Sequence, residues 1–382
     1  MKRHLAFGWL WLVSVSVQAC TIFVLTDTNG VLFCNNEDWS NPMTRIWFVP
    51  ASDGRYGCAF VGFDDGFGQG GLNTEGLAFD GVNGWNEKWE PEPGMIRLAD
   101  GEATHGMLKA CTTVGEAVAW YRKHFEPCFT TSRIIVADKA GASVIIGAKD
   151  GKLFVDPANK CRGFGYGQRT MNEMLATSSE PTVANGVKIL RACAQKGPFA
   201  TKYSNVFDLK SGDIFIYRRS EAEMKLNLAM ELKKGAHYYD IPHIREQLKE
   251  APRPITGMQR FVAGAFQAGP DPEPKVTAQV RKMFGAAARG EMRAADHAPE
   301  YWKTISGKQK EIQADVTALG DLISAMPVER SKEGKDRSYL YRLEFTKATL
   351  LELIMLDAEN RVTFVHTVDT HEKTQTTAQS SK

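Results

Sequence analysis

Residues 20–38 read CTIFVLTDTNGVLFCNNED, and the parsing of this stretch decides the fold. Thr21 to Leu25 is β-branched, aliphatic and aromatic, which predicts a strand. Asp27 to Gly30 (DTNG) carries the residues that make turns. Val31 to Cys34 is a second strand. The stretch is therefore a hairpin, and Cys20 stands immediately before its first strand.

Upstream, Met1 to Ala19 reads as a secretory signal. Lys2 and Arg3 form a positive n-region, Leu5 to Val17 a short apolar core, and Val17 and Ala19 occupy the small-residue positions before a cut. Cleavage after Ala19 makes Cys20 the first residue of a secreted or periplasmic chain. A rival reading takes Val17-Gln18-Ala19-Cys20 as a lipidation box and the product as a lipid-anchored binding protein. A lipidated cysteine normally leads into a polar tether, whereas Thr21 to Leu25 is built for a sheet, which favours the first reading. The seven cysteines are an odd number. With Cys20 free, the other six form up to three disulfides or lie buried as thiols; both remain open.

Downstream, further strands are predicted at Arg45 to Val49, Cys58 to Val61 and Leu77 to Gly81. Thr113 and Glu116 have capping-box spacing ahead of a helix over Ala117 to Phe125. Ser132 to Ala137 and Ala142 to Gly147 form an antiparallel pair. Met171 to Thr177 and Val187 to Ala194 read as helices, and Asp213 to Tyr217 as a strand. The stretches Ala251 to Pro254 and Gly269 to Lys275 have linker composition. Beyond them come helices over Val276 to Phe284 and Val316 to Met326. Strands follow at Tyr339 to Phe345, Thr349 to Leu356 and Arg361 to His366. The chain thus divides into a signal (1–19), a main α+β domain (20–255), a small α+β accessory domain (256–367) and a polar, disordered tail (368–382).

Composition narrows the function. Of 382 residues, 47 are basic and 45 acidic, a net charge of +2, so nothing suggests nucleic acid as partner. No internal stretch approaches a membrane span. Gly66 to Gly71 fits GxGxxG, but no helix opens after it, so it reads as a loop. Metal-binding HExxH, the GxSxG elbow and the phosphate-binding GxxxxGK[ST] are missing from the sequence. No metal or organic cofactor is implied.

A thiol on residue one has a chemical consequence. Its own α-amine has a pKa of about 7.7–8.0 in model peptides, so one residue can supply both nucleophile and base.

Cys20-Thr21, the apolar strand, the glycine turn and Asn35-Asn36-Glu37-Asp38-Trp39 together resemble the choloylglycine hydrolase and penicillin V acylase group of N-terminal-nucleophile hydrolases. Gly71 to Asn83 (GLNTEGLAFDGVN) is similar to that group's GxNExGL…GxN segment. Ser132 to Gly141 and Tyr203 to Tyr217 resemble its later strand pairs, and the matches keep the family's order over roughly 20–220. The resemblance implies a four-layer αββα sandwich, followed here by the accessory domain. It implies hydrolysis of a linear, non-peptide amide C–N bond of a small N-acyl compound through an acyl-enzyme on Cys20. An acyltransferase on the same scaffold is the alternative. Asp38 maps onto the acidic partner that positions the amine or thiol, and Asn83 onto the oxyanion-hole asparagine. Asn36, Asn73 and Asn172 are the candidate substrate contacts. Asp38 and Asn36 could instead cap a turn, and Asn73 could shape one. The family's arginine before the Asp is replaced by Asn35. Its later Thr-Asn motif falls on Gly167 to Thr170, where asparagine is absent; Gln168 is the candidate substitute, with Asn172 a weaker one, and the family's late arginine has no counterpart. A homo-oligomer is open.

Overall fold

The computed structural model describes residues 20–218, 223–264, 270–333 and 336–373. Residues 1–19, read above as a signal, and the last nine residues lie outside them. Two compact units divide between Gln259 and Arg260.

In the first unit the opening hairpin forms as its sequence dictates. β1 (Thr21–Thr26) and β2 (Val31–Asp38) pair antiparallel from Thr21↔Asn36 to Thr26↔Val31. Asp27 Oδ1 holds the turn by accepting from the backbone N–H groups of Asn29 (2.7 Å) and Gly30 (3.0 Å). The pair lies inside a six-stranded sheet. Its order is β12 (Arg162–Gly165), β1, β2, β13 (Thr201–Asp208), β14 (Asp213–Tyr217) and β15 (Met224–Asn227). Successive side chains point to opposite faces. Ile22, Val24, Val31 and Phe33 pack on one side; Phe23, Leu25, Leu32 and Cys34 pack on the other.

A nine-stranded sheet runs β11 (Lys152–Ala158), β10 (Ser143–Lys149), β9 (Ser132–Asp138), β6 (Leu77–Asn83), β5 (Gly68–Asn73), β4 (Cys58–Phe63), β3 (Thr44–Val49), β16 (His237–Asp240) and β17 (Arg253–Pro254). A two-residue ribbon, β7 (Ile96–Arg97) with β8 (His124–Phe125), stands apart. The main core joins the first sheet's Ile22, Phe33 and Phe207 to the second sheet's Ile46, Val61 and Ile135. The second sheet's opposite face carries Phe60, Phe79 and Val136 against α1 (Glu102–Ala110) and α2 (Val114–Tyr121). The first sheet's opposite face packs against α3 (Gln168–Thr177) and α4 (Val183–Ala192). Two short helices, α5 (Leu228–Leu232) and α6 (Ile244–Gln247), follow. The architecture is mixed α/β with antiparallel sheets.

Local expectations change in three places here. Gly66 to Gly71, read as a loop, enters a strand at Gly68 (β5, Gly68–Asn73), because its glycines allow close approach. A β-carbon at Gly70 would overlap Asp80 Oδ2, and one at Gly71 would lie 2.7 Å from the Ala59 carbonyl oxygen. The Thr113–Glu116 capping box is present, with Glu116 N–H donating to Thr113 Oγ1 at 3.2 Å, but α2 stops at Tyr121. All seven cysteines are unpaired thiols, and Cys34, Cys58, Cys111 and Cys193 are buried, so the disulfide alternative is not realised.

In the second unit, α7 (Pro274–Arg289), α8 (Pro299–Ile305) and α9 (Gln309–Ala318) accompany a four-stranded antiparallel sheet. Its order is β18 (Leu322–Glu333), β19 (Asp336–Phe345), β20 (Ala348–Leu356), β21 (Val362–Glu372). Val280, Phe284, Ile312 and Val316 pack against Tyr341, Leu343 and Ile354. The helix expected to reach Met326 ends at Ala318, because Gly320 turns left-handed (φ +80°) and sends Leu322 into β18. The tail expected from Val368 is strand through Glu372: the backbone of buried β20 needs a ladder partner, and 368–372 supply it despite their polarity.

Candidate active site

The hairpin register builds the site. Because Thr21 faces Asn36, the next position puts Cys20 across from Glu37. Cys20 is 6% exposed. Its Sγ donates a long hydrogen bond to Glu37 Oε1 (3.4 Å). Its backbone N–H donates to Asp38 Oδ2 (3.1 Å), and its carbonyl accepts from Tyr166 N–H (2.7 Å). Asp38 Oδ1 accepts from Thr201 Oγ1 (2.5 Å). One residue is thus held at sulfur, nitrogen and carbonyl oxygen. Cys20 also has φ +72°, a region that costs a non-glycine residue on the order of 1–3 kcal/mol.

Behind Cys20 the inward faces of β2 and β13 turn polar. Asn35 pairs with Asn205, and Glu37 with Tyr203. Glu37 Oε2 accepts from Asn35 Nδ2 (3.4 Å) and Tyr203 Oη (3.5 Å). From the nine-stranded sheet, Asp80 lies two residues from both Ala78 and Val82, on the same face of β6, and so faces the same core. Among the described residues, Asp80 Oδ2, Asn35 Oδ1 and both polar atoms of the Asn205 side chain have no hydrogen-bond partner, although all three residues are fully buried.

Burial controls the acid–base behaviour. It pushes Glu37 up to about 8, with the Asp38 charge adding to the rise and the Cys20 hydrogen bond opposing it. It pushes Asp38 up to about 7, against the donors Thr201 and Cys20 N–H and the charge of Lys202. Asp80 is raised well above the carboxylate range by burial and then by Glu37. Burial, then the charges of Glu37 and Asp38, raises the Cys20 thiol well above its ordinary value. A thiol so placed is neutral near pH 7 and needs a base before it can attack.

The expected residues divide. Cys20 and Asp38 are brought together. Asn83 stands exposed at the end of β6, and nothing ties its side chain to Cys20. Asn36 and Asn73, expected as substrate contacts, are not brought to Cys20. Asn36 points to the helix face, donating to the Leu190 carbonyl (2.8 Å) and accepting from Ser204 (2.6 Å). Asn73 Nδ2 donates to the carbonyls of Leu108 (2.7 Å) and Cys111 (2.8 Å), and its Oδ1 caps Glu75 and Leu77. Both amides are spent on structure, on faces away from the thiol. Asn172 is also displaced: it is exposed on α3 and accepts from Gln168. Gln168 itself clamps β12, accepting from Gly165 N–H (3.2 Å) and donating to the Gly163 carbonyl (3.1 Å). Sequence reasoning gave no role to Glu37, Asp80, Thr201 or Tyr203. Only Glu37 carried a signal, since counting back from the turn places it across from Cys20.

No family model matches the chain, and no curated protein matches it. Solved structures are similar to it. Penicillin V acylase from Agrobacterium tumefaciens is 15% identical, with 58% of this chain and 90% of that one covered at a TM-score of 0.46. A mutant of conjugated bile acid hydrolase from Clostridium perfringens is 14% identical, covering 58% and 95% at 0.48. A second variant of the same hydrolase is 14% identical, covering 58% and 96% at 0.48.

Proposed function

We propose that the chain is a secreted or periplasmic cysteine amidase of the N-terminal-nucleophile type. It hydrolyses a linear, non-peptide amide bond of a small N-acyl compound. The observation that carries the reading is the three-point hold on Cys20. Its nitrogen rests on a buried carboxylate and its sulfur on another, so cleavage after Ala19 would leave an α-amine and a thiol already placed. Cleavage would also abolish the φ torsion at Cys20 and with it the left-handed strain. In this reading the layers α3–α4, six strands, nine strands and α1–α2 are the αββα sandwich. Cys20 Sγ attacks the carbonyl, amine departs, and water hydrolyses the thioester. Asp38 anchors the α-amine, and the exposed amide of Asn83 turns toward the developing oxyanion.

The burial of Cys20 argues against the lipid-anchor reading, because a lipidated sulfur would have to leave the core that now contains it. Intact mass of the protein from its native envelope fraction tests this. A mass equal to unmodified Cys20 to Lys382 supports the amidase, and added lipid on Cys20 overturns it.

A further inference from the structure

Glu37 has no part in the mechanism above, yet its carboxyl is hydrogen-bonded to the attacking sulfur. It is 2% exposed, its Oε1 lies 3.4 Å from Cys20 Sγ, and Asn35 and Tyr203 hold its other oxygen. The α-nitrogen, meanwhile, is committed elsewhere. It lies 3.1 Å from Asp38 Oδ2, a contact that favours the ammonium form once the bond to Ala19 is cut. An ammonium has no lone pair and cannot receive the thiol proton.

We propose that Glu37 is the general base of Cys20, serving sulfur alone, while the α-ammonium on Asp38 serves the leaving nitrogen and the incoming water. This assignment rests on Cys20 being the nucleophile. In acylation the S–H bond breaks, its proton forms an O–H bond on Glu37, and the S–C bond forms. The tetrahedral adduct then breaks its C–N bond as the α-ammonium gives a proton to the departing nitrogen. In deacylation water adds to the thioester and gives one proton to the now neutral α-amine. The S–C bond breaks, and the thiolate takes its proton back from Glu37. Both carriers end as they began, and the acyl group leaves as a carboxylic acid.

The surroundings suit the task. The titratable groups facing Glu37 are Cys20, Asp38, Tyr203 and, from the other sheet, Asp80. Burial among acids lifts Glu37 to about 8, near the pH at which a base works best. A thiol and a carboxylate sharing one proton ionise as a pair. Sulfur reactivity should therefore follow the first ionisation of the pair.

The test uses mature wild-type protein, Glu37→Gln and Cys20→Ala. Glutamine keeps the shape and the acceptor oxygen but not the basicity. One probe is iodoacetamide, read by peptide mass at Cys20 as a function of pH. The other is octanoyl-p-nitroanilide, read by release of p-nitroaniline. The expected results for Glu37→Gln are an unchanged melting temperature at pH 5.5, where Glu37 is protonated in the folded state, and an alkylation midpoint moved from about 8 to above 9. Turnover, where wild type cleaves the anilide, should fall by about 10²–10⁴-fold. An alkylation midpoint that stays or moves down overturns the assignment, whatever the anilide does. Anilide cleavage that survives Cys20→Ala would instead overturn the nucleophile reading itself.

Discussion

Gly70 and Asp80 face each other across neighbouring strands, and the side chain that one lacks is the room that the other's carboxyl occupies. A β-carbon at Gly70 must displace a fully buried Asp80. Gly70→Ala is therefore expected to destabilise the protein by about 1–3 kcal/mol. In an Asp80→Ala background the same change should cost less, with only the Phe79 carbonyl oxygen, 3.1 Å from the new carbon, left to give way. Urea unfolding of the four proteins measures the coupling, and additive effects would show that the two residues do not compete for space.

Thr201 donates to the carboxylate that holds the backbone nitrogen of Cys20. Its hydrogen bond favours the charged form of Asp38, so losing it raises an already elevated value of about 7. The acid limb of the pH–rate profile should move to higher pH in Thr201→Val. A limb that moves down, or not at all, would separate Thr201 from the ionisation of Asp38.

Stability should fall as pH rises. Glu37 is lifted from an unfolded value of about 4.3 to about 8. Between those two values the folded state binds more protons than the unfolded state. Its contribution is therefore fully present below the unfolded value and lost as pH rises through the folded one. Calorimetry at pH 5.5 and 8.5 should give the higher melting temperature at 5.5. The difference should shrink in Glu37→Gln, which cannot ionise.

Asn83 is exposed, and its amide contributes nothing visible to packing. Asn83→Ala should leave the melting temperature unchanged. If the amide meets the oxyanion, kcat should drop by about 10²–10³-fold with little change in KM. A variant with wild-type kcat would remove Asn83 from the chemistry.

Every cysteine is a free thiol in the fold. Titration of the mature protein in denaturant, without reductant, should count all seven. Any pair missing from the count would mean a disulfide that this fold does not contain.

The sequence made some of this plain and hid the rest for identifiable reasons. The first hairpin was legible because apolar runs, a DTNG turn and strand length are local signals. The cap of α2 was legible for the same reason. The place of Asp38 beside Cys20 was legible through the order of its neighbours in the chain. Asp80 was not, because its meaning depends on a glycine ten positions away and on a facing sheet. The structural bonds of Asn36 and Asn73 were not legible, because a buried amide satisfying backbone carbonyls has the same letter as one awaiting a substrate. β18 and the end of β21 escaped because pairing to a buried neighbour, not their own composition, makes them strands.

The turn at Asp27 to Gly30 has an effect well beyond the four residues it contains. It sets the phase of β2 against β1, and neighbouring positions in β2 differ sharply in character. Asn36 grips a helix, whereas Glu37 meets the sulfur. One residue added to or taken from that turn would exchange their faces. The thiol would then confront a neutral amide while an acid was thrust into the helix layer. The length of a surface loop thus acts as a selector of which side chain the Cys20 thiol meets.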